Sequence, residues 1–171
     1  MRRKLNPVMT TLAAALIFTY GIASANGTHA GGHDDAAIGE PGVASEATRT
    51  VTVDMADTMR FSPANVTANQ GETIRFVLKN TGKIKHEFVL GSTKELKEHA
   101  ELMKKFPEME HSDPNMVTLS PGQTGEVIWK FSKPGKVNFA CLQPGHYDAG
   151  MKGQVMVKKQ AAPKDEHDHK H

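Results

Sequence analysis

Short runs of alternating apolar and polar residues fill the middle of the chain. Val51, Val53 and Met55 alternate with Thr52 and Asp54, and Ile74, Phe76 and Leu78 with Arg75, Val77 and Lys79. Ile84, His86, Phe88 and Leu90 share one face of a further run. Val127, Trp129 and Phe131 follow, then Val137, Phe139 and Cys141, then Val155 and Val157. A period of two places every second side chain on one face of a strand. Turn-forming clusters separate the runs: Asn69-Gln70-Gly71, Asn80-Thr81-Gly82, Pro121-Gly122 and Pro134-Gly135. Many short strands punctuated in this way predict an all-β sandwich or barrel.

One segment has a different period. From Ser92 to Phe106, Leu96, Ala100, Met103 and Phe106 recur near helical spacing. Ser92 and Glu95 have the spacing of a capping box, and Pro107 stops the run. The pattern predicts a short helical insertion over about 93–106, placed between two strands, with a loop running on to about Met116.

The flanks carry no such periodicity. Arg2-Arg3-Lys4 precedes an apolar run from about Val8 to Ile22 and an Ala23-Ser24-Ala25 site. That order reads as a secretory signal peptide over 1–25, with no membrane span after cleavage. Residues 26–48 are rich in Gly, Ala, His, Asp and Glu and read as a flexible leader. The folded domain is expected at 49–159, and 160–171 reads as a flexible His-rich tail. Three of the 21 basic residues lie in the signal segment, leaving 18 against 19 acidic. With no basic stripe, nothing points to nucleic acid. Export places the domain in the periplasm, an oxidising compartment.

Cys141 is the single cysteine. An unpaired cysteine in an exported chain is buried and inert, reactive, or metal-bound. Its surroundings favour metal: Cys141, His146 and Met151 follow one another as C-x4-H-x4-M. Soft sulfur with imidazole selects copper, and two His, one Cys and a weak axial Met are the donors of an electron-transfer copper site. His86 supplies the second imidazole. A histidine on the inward face of a strand is costly to bury without partners for its nitrogens. The candidate metal ligands are thus His86, Cys141, His146 and Met151.

The segment from Val137 to Met151, with His86 upstream and the closing run Gln154-Val155-Met156-Val157, resembles the cupredoxin family of type 1 copper proteins. The C-x4-H-x4-M spacing is similar to rusticyanin-type sites and longer than plastocyanin or azurin loops. The resemblance implies a Greek-key β-sandwich and a redox-active Cu(I)/Cu(II) centre. Among cupredoxins, the chain is most similar to periplasmic forms implicated in copper tolerance. One position departs from the family: Glu87 stands where many members carry an Asn that braces the cysteine loop.

Further candidate copper donors flank this motif: His29 and His33 in the leader, His167, His169 and His171 in the tail, and His99, Met103, Met109, His111 and Met116 around the insertion. Met103 fits the helix's apolar face, so packing is its better reading. Met109, His111 and Met116 sit in polar surroundings and suggest a second, weaker site. These segments favour copper tolerance, with a copper-handling or redox protein as partner, over one-electron carriage between respiratory partners. An enzyme is not expected. A multicopper oxidase or copper nitrite reductase needs a second domain and further histidines, a Cys-His hydrolase leaves Met151 unexplained, and zinc gives a thioether no role.

Overall fold

The computed structural model describes residues 38–109 and 112–160. The signal segment, the leader up to residue 37, the tail beyond Gln160 and His111 lie outside the described residues. In chain order the strands are β1 (Glu40–Pro41), β2 (Arg49–Ala56), β3 (Arg60–Ser62), β4 (Asn65–Asn69), β5 (Thr73–Asn80) and β6 (His86–Gly91). A helix, α1 (Thr93–Lys105), follows, then β7 (Met116–Leu119), β8 (Thr124–Lys130), β9 (Gly135–Ala140) and β10 (Lys152–Lys158). They form two five-stranded sheets, ordered β1-β8-β5-β2-β3 and β4-β10-β9-β6-β7. Among the described residues no helix is long and apolar enough to cross a membrane.

The expected β-sandwich with a helical insertion is the observed architecture. β2 runs parallel to β5, and β4 parallel to β10, so the chain crosses between sheets rather than folding into simple hairpins. Alternation drives the sandwich. Val53, Met55, Ile74, Phe76, Leu78, Val127 and Trp129 point inward from the first sheet. Phe88, Leu90, Val137, Phe139, Val155 and Val157 meet them from the second. Phe139 lies at the centre, with ring centroids 4.9 Å from Phe88 and 5.1 Å from Phe61. Edge and offset contacts of this kind add to the area term.

All six residues of β6 are buried. Its inner face enters the main core. Val89, on its outer face, joins a second cluster with Leu96, Ala100, Met103, Met116, Ala140 and Leu142. α1 therefore covers the outside of the second sheet, which explains the nearly continuous apolar reading of this strand. The helix starts with the expected capping box: Glu95 N–H donates to Ser92 Oγ, and Ser92 N–H to Glu95 Oε2.

Two expectations change. The leader's last eleven residues, 38–48, lie on the domain. Glu40 and Pro41 pair with Lys130 and Trp129, and Trp129 Nε1 donates to the Ile38 carbonyl at 2.9 Å. A polar, Gly-rich segment still has a backbone to pair, and the edge of β8 supplies the partner groups. Ile84 does not share the inward face of His86. It precedes β6 and is 42% exposed, because Asn80 Nδ2 donates to the Ile84 carbonyl and bends the chain ahead of the strand.

Candidate metal centre

β6 and β9 are antiparallel neighbours, with Val89 opposite Ala140. β6 therefore begins at the end of the sheet where β9 finishes. That register brings His86, the first residue of β6, beside Cys141, the residue after β9. The loop from Leu142 to Met151 then folds back over the same end. His146 N–H donates to the Gln143 carbonyl, Met151 N–H to the His146 carbonyl, and Cys141 N–H to the Met151 carbonyl. Gly145 and Gly150 have φ of 84° and 90°, which side-chain-bearing residues seldom adopt. Arg60, from the first sheet, donates to the Ala149 carbonyl at 3.0 Å and ties the loop down.

The donor atoms of His86, Cys141 and His146 lie within 4.8 Å of one another. Cys141 Sγ is 3.2 Å from His146 Nδ1 and 4.0 Å from His86 Nδ1. A three-coordinate metal with bonds of roughly 2.0–2.3 Å holds its donors roughly 3.5–4 Å apart. The cluster has the size and chemistry for one ion. Met151 is fully buried in the same apolar cluster as Cys141, and its backbone is bonded to both loop donors.

The surrounding groups fix each donor. His86 Nε2 is 3.0 Å from Asp57 Oδ1. The Lys83 N–H, donating to the other oxygen, is the leading cause that holds the Asp57 carboxyl below its ordinary range. An ionised carboxylate only accepts, so His86 donates to it from Nε2, and this contact leaves Nδ1 facing the cluster. Gly82 makes this contact possible. A Cβ there would lie 1.9 Å from Asp57 Oδ1 and 3.1 Å from His86 Nε2. Asn80, which is buried, donates from Nδ2 to the Ile84 and Leu119 carbonyls and accepts from the Gly82 N–H. It braces the chain that leads into His86.

Burial pushes the Cys141 thiol up from 9.0 to about 12, opposed by the N–H groups of Gln143 and Glu87. The Glu87 N–H lies 3.3 Å from Sγ. Burial first, and then the facing His86, holds His146 below its ordinary range. Without metal, the His146 imidazole and the Cys141 thiol are thus disposed to be neutral at neutral pH. A metal ion that captures the thiolate must displace its proton. The Glu87 side chain reaches β7. Its Oε1 accepts from the Thr118 hydroxyl at 2.8 Å, so it braces β7 where the family's Asn would brace the loop.

Residues 47–158 match the family model described as copper binding proteins, plastocyanin/azurin family. The chain belongs to this cupredoxin family. It is 53% identical over 133 residues to the copper-resistant cuproprotein CopI of Rubrivivax gelatinosus, covering 76% of this chain and 81% of that one. It is 36% identical over 151 residues to CopI of Pseudomonas aeruginosa, covering 71% and 83%. Reduced auracyanin from Roseiflexus castenholzii superposes with a TM-score of 0.56 at 22% identity, covering 66% of this chain and 98% of that one, which shows the shared fold. Copper is the group this cupredoxin binds, and the His-Cys-His donor set suits it.

Asp57, Asn80, Gly82 and Arg60 are absent from the sequence-derived candidates. Asn80 and Gly82 read only as part of a turn cluster, Asp57 and Arg60 stand in no recognisable motif, and each reaches the centre only through the sheet topology. Of the further candidate donors, His29, His33, His111, His167, His169 and His171 lie outside the described residues. Met103, Met109 and Met116 come together elsewhere, as described below.

Proposed function

We propose that this cupredoxin is an exported type 1 copper protein that serves copper tolerance. His86 and His146 through Nδ1, and Cys141 through Sγ, would hold the copper, with the Met151 thioether as a fourth, weaker donor. The observation that carries this reading is the His-Cys-His cluster on a chain 53% identical to a copper-resistant cuproprotein. Bound copper would supply one-electron exchange between Cu(I) and Cu(II). The protein's part is to hold the donors still. Asp57 fixes the His86 ring and its tautomer, and the β6–β9 register sets the distance from His86 to Cys141. The three backbone bonds of the loop fix His146 and Met151 relative to the thiolate. A site that moves little between oxidation states exchanges electrons with little reorganisation.

The same site suits a one-electron carrier. His146, half-buried at the end of the sandwich, brings the centre towards the surface. Gene deletion separates the two purposes. Under the proposal, deletion sensitises cells to copper, and the wild-type gene restores growth while Cys141→Ser does not. Unchanged copper sensitivity with loss of a respiratory activity would replace this reading with the carrier. The proposal has the protein exported to the periplasm by its N-terminal signal-like segment, which fractionation of tagged full-length protein tests.

A further inference from the structure

A cavity of about 580 Å³ lies beside the metal centre. Three methionines line it: Met103 from α1, Met109 from the turn after the helix, and Met116 at the start of β7. They descend from surface to core, at 36% exposure for Met109, 7% for Met116 and 2% for Met103. Packing accounts for Met103 and Met116, which belong to the cluster under the helix. It does not account for Met109, which lines the cavity but lies outside that cluster. Three thioethers from three separate segments lining one cavity make a soft donor set, and soft donors select Cu(I) over harder cations. Glu87, Glu108 and Lys85 also line the cavity.

The cavity shares a wall with the copper loop. Glu87 lines it, and the Glu87 backbone N–H reaches Cys141 Sγ. Gln143 also lines it, and its carbonyl accepts from the His146 N–H. We propose that Met103, Met109 and Met116 form a second, Cu(I)-selective site in this cavity, separated from the His-Cys-His centre by Glu87 and Gln143. The site adds to the proposed copper-tolerance reading and stands independently of the type 1 assignment.

The test uses Ag(I), a redox-inert stand-in for Cu(I), on full-chain Cys141→Ser protein with 13C-labelled methionine methyls. The methyl signals of Met103, Met109 and Met116, assigned by single Met→Leu variants, should shift together as Ag(I) is added. Cu(I) held by the otherwise unaltered full chain against a competing chelator should fall by one equivalent in Met109→Leu/Met116→Leu. Met→Leu conserves volume and leaves the fold in place. Met109→Leu alone, at an exposed position, repeats the test should the pair fail to fold. Methyl shifts confined to other methionines, or an unchanged Cu(I) stoichiometry, would overturn the proposal. The visible copper band of the double variant scores the type 1 reading separately and should be unchanged.

Discussion

Raising the pH on metal-free protein tests the buried cysteine directly. Its folded thiol is pushed up to about 12 from an ordinary 9.0. A thiol raised on folding keeps its proton in the native state after the unfolded state has lost it. Stability therefore falls with rising pH between the two values. At about pH 10 the unfolded thiol is roughly 90% ionised and the folded one roughly 1%, so the loss is about 1.4 kcal/mol relative to about pH 8. Denaturant unfolding of metal-free wild type and Cys141→Ser at both pH values isolates this contribution, because the other titrating groups cancel in the difference. The stability of wild type relative to the variant should drop by about 1.4 kcal/mol. A difference that stays constant would mean that the thiol titrates alike in both states, and the buried geometry argued here would be wrong. The same shift implies that copper binding at neutral pH releases a proton from Cys141.

Two further outcomes follow from named contacts. Asp57→Asn should keep the fold but weaken copper binding by about 10- to 100-fold, because the amide cannot hold the His86 tautomer as a carboxylate does; competition with a chelator measures this, and unchanged affinity would remove Asp57 from the centre. Phe139→Ala removes a ring with no exposure that packs on Phe61 and Phe88, and should cost about 3–5 kcal/mol in denaturant unfolding.

The sandwich was legible because its strands bury one face, so hydrophobic alternation writes the register into the chain. The helix was legible through Ser92, Glu95 and Pro107, local signals that need no tertiary context. The candidate loop donors stood out for the same reason, since Cys141, His146 and Met151 are close in sequence. The support around them was hidden. Asp57 reaches His86 across 29 residues, and only the pairing of the strands shows that they meet. Pairing of the leader's end with β8 was equally invisible, because backbone hydrogen bonding at a sheet edge requires no apolar pattern. Ile84 fitted the alternation but lies outside the strand, since Asn80 bends the chain ahead of His86. Met103 reads as a core methionine from its helical position, and only the fold reveals that it shares a cavity with Met109 and Met116.

The central claim is that Cys141 binds copper as a thiolate between His86 and His146. The visible spectrum of the Cu(II)-loaded protein tests it most directly. The account predicts an intense thiolate-to-copper band that ascorbate bleaches and that Cys141→Ser lacks. A wild-type protein that holds copper yet remains colourless, or a Cys141→Ser variant that keeps the band, would contradict it.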